Sequence, residues 1–207
     1  MNVGELRQRR ELDYRVLRAM ENDVFSFDAY ATSADLESGQ RRITSVAEGG
    51  SAAKYVFRFA IRTLVARGAY SDLTTIGVDT DSTDFPRRPP NTWVVGRTIP
   101  WSPHFRAGYP VCIGEEMWDS RGGYVLLGHL VIHLARLLNW DEPGRGPGYR
   151  GWNGEAIDYH RDVLGGRPLT ANVKYPALPA WLYGTENDPV FEPIGTPGTT
   201  FAFEPLR

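Results

Sequence analysis

Seven apolar side chains recur at helical spacing along one stretch of this chain: Leu126, Leu127, Leu130, Val131, Leu134, Leu137 and Leu138. They form a continuous face of a helix predicted over Leu126 to Asn139. So apolar a face needs an apolar surface to cover it, and the chain has to supply that surface itself. Lys54 to Arg67 is β-rich, and within it Tyr55, Phe57, Phe59 and Ile61 alternate with other residues and share one side of an extended chain. Hydrophobic residues make up 42% of the 207 residues and aromatics 12%, enough to build the core of one domain.

The remaining elements follow from pattern and punctuation. Glu5 to Glu21 reads as a helix with Leu12, Val16, Ala19 and Met20 on one face. Val24 to Tyr30 alternates like a strand, Leu73 to Asp79 reads as another, and Trp93 to Val95 as a short third. Residues 35–52 are polar and glycine-rich and read as a loop. Asp84-Phe85-Pro86-Arg87-Arg88-Pro89-Pro90 places three prolines within five residues, which rules out helix and central strand alike. Residues 98–124 read as irregular and 144–151 as a break. Asn153 to Leu164 predicts a last helix capped by Asn153, with Ala156, Ile157, His160 and Val163 facing inward. Prolines and glycines dominate from Gly165 onward. The expected architecture is α+β: an N-terminal helix, a four-stranded antiparallel meander, then C-terminal helices. It places a domain over residues 1–164 and an extended arm over 165–207.

Cys112 is the chain's single cysteine, so it has no internal disulfide partner. With no export signal at the start of the chain, it fits a reducing cytoplasm where the thiol stays available. On local sequence alone a small buried hydrophobe explains it equally well. The formal net charge of −2 gives no basic field to recruit nucleic acid. No window approaches the roughly 18 apolar residues of a membrane span. His129 and His133 have the i, i+4 spacing of a zinc helix but lack the adjoining glutamate, so no metal site is expected. Gly144 to Gly148 lacks the Gly-Lys-Ser/Thr ending of a phosphate loop.

Three groups of residues, taken in order, resemble the ubiquitin-conjugating (E2) enzyme family. The strand followed by Asp84 to Pro90 is similar to the family's Asp-Tyr-Pro-x-x-Pro-Pro turn. A short strand and a long irregular stretch then end in Val111-Cys112-Ile113, similar to the family's Ile-Cys-Leu, with Trp118 soon after. The leucine-rich helix runs into Leu138-Asn139-Trp140-Asp141-Glu142-Pro143, and a short helix with Glu155, Ala156 and Tyr159 follows, as in the family. The resemblance covers residues 6–164. It departs at the family's His-Pro-Asn triplet, where this chain reads Ile99-Pro100-Trp101-Ser102-Pro103-His104-Phe105-Arg106. His104 stands in for the histidine, and Ser102 or Arg106 takes the asparagine's place, depending on the alignment. In the family that asparagine supports the loop and stabilises the oxyanion as an isopeptide forms. Its absence bears on transfer to lysine and not on thioester formation. The pattern is closer to divergent E2-like proteins of bacteria, which often sit beside an activating enzyme, a ubiquitin-like protein and a JAB-type peptidase, some in anti-phage operons.

The resemblance implies that Cys112 carries a ubiquitin-like protein as a thioester, received from an E1-like activating enzyme and passed to a protein target. No cofactor is implied, because the activating enzyme consumes the ATP. His104 would support the active loop and Trp118 would pack beneath it. Asp119, with Glu115 or Glu116, could position or deprotonate an incoming amine, although solvated loop charges explain them as well. The arginines of the first helix (Arg7, Arg9, Arg10, Arg15, Arg18) would meet the activating enzyme or simply line a solvated face. A thiolate suits the task because it is both a good nucleophile and a tolerable leaving group. Two other readings stay open. One is a catalytically silent binding module of the same fold. The other is an unrelated cysteine hydrolase pairing Cys112 with His104 or His160; against it, residues 114–123 separate the cysteine from the next helix.

Overall fold

The aromatic alternation and the leucine-rich helix meet face to face. The computed structural model describes residues 3–34, 41–81, 85–114, 117–118, 125–141 and 151–183. Within these, helix α1 (Val3–Met20) precedes strands β1 (Phe25–Ala34), β2 (Arg41–Val46), β3 (Lys54–Phe59), β4 (Thr63–Ala66), β5 (Ala69–Ser71), β6 (Thr74–Asp79) and β7 (Asn91–Val94). Helices α2 (Leu127–Leu138) and α3 (Gly154–Asp162) follow. Asp84, Glu115, Glu116, Asp119 and residues 142–150 lie outside the described residues.

The protein is α+β, with an N-terminal helix and an antiparallel sheet of five strands in the order β2-β1-β3-β6-β7. The expectation of four strands is corrected here. Strands β1, β3, β6 and β7 do lie side by side in chain order, each antiparallel to the next. Residues 41–46, read as loop, fold back as a fifth strand on the outer edge of β1, with a bulge between Ala31 and Thr32. Strand β2 covers no core: Ile43 is 54% exposed and Val46 76% exposed. A strand without a buried face carries no alternation for the sequence to display. A second departure is the β4–β5 hairpin, which leaves the sheet between β3 and β6.

Register explains the core. Phe27, Phe57, Ile76 and Val94 form one cross-strand row, and Ala29, Tyr55, Val78 and Thr92 the next. Phe25 and Phe59 pair beside them, and the rings pack edge-on or tilted, as with Phe25 and Phe57 at 5.4 Å and 79°. Such pairs add about 0.5–1.5 kcal/mol each beyond burial. Helices α1 and α2 cover this face; Val16, Leu17 and Met20 join Leu127, Leu130, Val131 and Leu134 in one core cluster. The buried face of α1 is Asp13, Tyr14, Val16, Leu17 and Met20, whereas the expected Ala19 is exposed. The helices approach closely at Gly128, where a Cβ would lie 2.7 Å from Val16, Met20 and Leu178 side chains.

Buried Asp13 joins the two helices. Its Oδ1 accepts the Leu127 N–H at 2.9 Å, satisfying a donor at the start of α2, and its Oδ2 accepts Arg9 Nε–H at 2.8 Å. Arg9 also donates to the Val125 carbonyl. Burial pushes the Asp13 carboxyl above its ordinary range, and Arg9 with the Leu127 N–H pulls it only partway back. The arginines of α1 are therefore partly structural: Arg10 bonds to Asp81 and the Thr80 carbonyl, and Arg15 lies over the Trp181 ring.

A smaller core of Leu64, Trp140 and Ala156 lies beyond the end of α2. The helix closes with the Asp141 N–H on the Arg136 carbonyl (2.9 Å) and the Trp140 N–H on Leu137 (3.2 Å). Trp140 takes φ +58°, a position usually given to glycine. Burial of its ring, 4.4 Å from that of His160, offsets that cost. Asn139 then clasps the following arm: its side chain bonds to Thr170 N–H, the Thr170 carbonyl and Tyr175 Oη, and its carbonyl accepts Leu169 N–H. Two details of α3 differ from expectation. The Asn153 side chain makes no capping bond, and Val163, just past the helix end, is 63% exposed.

Replacing Asp13 orphans a buried N–H and removes the carboxylate that pairs with Arg9 Nε. Asp13→Ala is expected to cost about 2–4 kcal/mol in urea unfolding, and Asp13→Asn, which keeps an acceptor for Leu127, about half as much.

Candidate functional site

Val111-Cys112-Ile113 alternates like a strand, although it belongs to none. Val111 and Ile113 are buried in the main core, while Cys112 between them is half-exposed. The Val111 N–H donates to the Thr92 carbonyl at 2.8 Å, so the segment runs along the free edge of β7. Two buried anchors thus hold the thiol-bearing residue with its side chain turned out of the core.

His104 fastens the same residue from the other side. The Cys112 N–H donates to the His104 carbonyl at 2.9 Å, and the His104 ring returns a 2.9 Å bond from Nδ1 to the Cys112 carbonyl. A carbonyl only accepts, so Nδ1 carries the proton. His104 is buried, and its N–H sits 3.3 Å from Ser102 Oγ, with Ser102 itself buried. Ser102 therefore shapes the turn that delivers the histidine. The geometry makes His104 a positioning residue acting on the Cys112 backbone.

Trp118 is fully buried. Its indole N–H donates to the Pro86 carbonyl at 2.9 Å and its ring lies 6.2 Å from Phe85. It ties the chain after the cysteine to the proline turn, whose Phe85-Pro86 bond is cis. Arg9 lies over the Phe85 ring at 5.6 Å, which links the turn back to α1. Asp119, with Glu115 and Glu116, lies outside the described residues.

The structure adds a group of residues that sequence reading had not assembled. Arg106 is exposed and stacks over Tyr109 at 4.2 Å and over Trp152 at 5.1 Å. The two rings lie 5.2 Å apart and are 44% and 45% exposed. Trp152 is brought here by its N–H bond to the Pro103 carbonyl (2.8 Å) and by Gly151, at φ +51°, where a Cβ would lie 2.4 Å from that same carbonyl. Arg106, Tyr109 and Pro110 also line an open cavity of about 340 Å³ with Trp93, Val94 and Ile99. A cation stacked on two exposed aromatics has the composition of protein-binding hot spots. The sequence signal was weak, because Trp152 lies forty residues beyond the cysteine and converges only in the fold.

The other histidines are engaged elsewhere. His160 Nε2 donates to the Arg167 carbonyl at 2.7 Å and its ring packs on Trp140, in the smaller core. His129 Nδ1 accepts the Leu126 N–H at 3.2 Å, at the start of α2. Among the described residues no group of three or more metal-ligating side chains comes together, and no helix is long and apolar enough to cross a membrane. Compared with protein-family models the sequence finds no match, and compared with curated proteins it finds no significant one.

Two measurements follow from these bonds. Removing the His104 ring bond, as in His104→Phe, is expected to speed amide exchange of Cys112 about tenfold, from the roughly 1–2 kcal/mol that such a bond contributes. Burial lowers the basicity of His160, against the opposing effect of the Arg167 carbonyl. The folded state then favours neutral imidazole: its stabilisation is complete above the ordinary histidine range and is lost as pH falls below it. Urea unfolding between pH 7.5 and 5 should therefore show wild type losing more stability than His160→Gln, with an excess slope of at most about 1.4 kcal/mol per pH unit.

Proposed function

We propose that this chain is an E2-like conjugating enzyme that carries a ubiquitin-like protein as a thioester on Cys112. One observation carries the reading: the only cysteine is half-exposed between two buried anchors, on a segment whose backbone His104 holds in place. The element order is compatible with it. A helix, four consecutive antiparallel strands, a proline turn and an irregular cysteine segment precede the leucine-rich helix, as in the conjugating family. Strand β2 and the β4–β5 hairpin are additions to that plan.

The reaction asks little of the surrounding residues. The Cys112 thiolate attacks the thioester carbonyl on an E1-like enzyme, a new carbon–sulfur bond forms, and the donor thiolate leaves. A nucleophile on the target then attacks the Cys112 thioester, loses its proton, and expels the Cys112 thiolate. Acyl exchange between two thiolates of similar basicity needs no metal and no triad, so rate comes mainly from holding the partners together. The Arg106–Tyr109–Trp152 surface suits that role, since it presents exposed aromatic area and Arg106 and Tyr109 stand on the segment that leads to Cys112. His104 then keeps the Cys112 backbone from shifting as the acyl group arrives. A cytoplasmic setting, which the lone cysteine fits, and an activating enzyme and a protein target as partners belong to the same proposal.

Incubation with an E1-like enzyme, ATP and its ubiquitin-like protein, followed by a non-reducing gel, tests this. Wild type should form an adduct that reductant removes. Cys112→Ala should form none, and Cys112→Ser should form a slower, reductant-resistant ester. An adduct persisting in Cys112→Ala, or one that resists reductant in wild type, would contradict the proposal.

A further inference from the structure

The β4–β5 hairpin carries a second site, remote from any role the cysteine requires. Leu64 anchors the hairpin: it is fully buried, and its carbonyl accepts Trp101 N–H at 2.7 Å. Around that anchor the hairpin exposes Arg62, Arg67 and Tyr70. Facing it, the segment after α3 is fixed at both ends. His160 bonds to the Arg167 carbonyl at 2.7 Å, and the Asn139 carbonyl accepts Leu169 N–H at 2.9 Å.

Between the two lies a cleft of about 190 Å³ lined by Arg62, Tyr70, Leu164, Arg167, Pro168 and Leu169. The Arg62 guanidinium stacks on Tyr70 at 4.4 Å, and Arg67 lies over Tyr159 at 5.5 Å, so both heads are steered by aromatic faces. Among the described residues no carboxylate forms an ion pair with Arg62, Arg67 or Arg167. Of the three acids of neighbouring α3, Asp158 and Asp162 are held by Arg161, and the third, Glu155, is exposed in the first turn of the helix. Arg62 and Arg167 thus line one cleft with no carboxylate paired to either among the described residues, and like charges on one cleft repel.

The cleft's chemistry narrows its occupant. Guanidinium forks match carboxylate and phosphate geometry. A free oxyanion would leave the apolar floor of Leu164, Pro168 and Leu169 uncovered. A nucleotide-sized ligand needs more room, since small-molecule pockets run from about 300 to 1,000 Å³. One acidic side chain with an apolar neighbour satisfies both the arginines and the floor. We infer that this cleft docks an acidic segment of a partner protein, with a glutamate or aspartate between Arg62 and Arg167 and an aliphatic residue against Leu164 and Leu169. The inference is independent of thioester chemistry at Cys112.

Fluorescence anisotropy on the full chain tests it, using a short fluorescein-labelled peptide of glutamates interspersed with leucine. Comparison probes are its glutamine counterpart, a phosphoserine counterpart and a single-stranded oligonucleotide. The glutamate peptide should bind, weaken as salt is raised, and bind about tenfold or more weakly to the doubly substituted Arg62→Gln, Arg167→Gln chain, as expected for losing charge-assisted bonds. Both positions are exposed, so circular dichroism should show that variant folded. Absence of binding, equal binding of the glutamine peptide, or undiminished binding to the variant overturns the inference. A clear preference for the phosphoserine peptide or the oligonucleotide overturns it in favour of a phosphate site.

Discussion

A buried carboxylate joins the two helices that cover the sheet. Asp13 meets the Leu127 N–H and Arg9 at once, and Arg9 reaches both the Val125 carbonyl and the Phe85 ring. The start of α2, the middle of α1 and the proline turn are thereby joined at one point. Ion pairs buried in this way are poor sources of net stability, because desolvation consumes most of the Coulombic gain. They are good at excluding alternatives, since any shift of α2 along α1 would strand a charge. The joint sets the α2 end of the segment between β7 and α2, within which Cys112 lies, and it also touches the turn that leads into β7.

Local bonds then decide which way the sulfur faces. Val111 and Ile113 take core positions, so the alternation of an extended chain turns Cys112 outward. The reciprocal bonds with His104 fix the backbone at that residue, and the Trp118 bond to Pro86 fixes the chain a few residues on. The arrangement suits chemistry in which the nucleophile is already competent and a large partner supplies the energy of alignment.

How much of this was readable in advance varies by element. The aromatic face of β3 and the leucine face of α2 were legible because both bury a continuous side, and burial is what periodicity records. Strand β2 was not, since Ile43 and Val46 face solvent and the strand is held by its pairing with β1. The end of α2 was legible, but the way the chain turns after it was hidden for another reason. Trp140 takes the left-handed position that glycine would announce, and only the smaller core explains why an indole sits there. At the site, Cys112, His104 and Trp118 were marked by residue type and spacing. In the sequence Asp13 is one more charge on a polar helix, and Trp152 one aromatic after a glycine-rich stretch. The importance of each comes from contacts more than forty residues away in sequence, which no local pattern encodes.

The account turns on which atom forms the bond. Peptide mapping by mass spectrometry, after charging and quenching at low pH, reads that atom directly. It predicts the peptide bearing Cys112 joined to the C-terminal residues of the ubiquitin-like protein, with one water lost, and release of both on adding thiol. Linkage at Lys54, Lys174 or a hydroxyl, with the Cys112 peptide unmodified throughout, would contradict it.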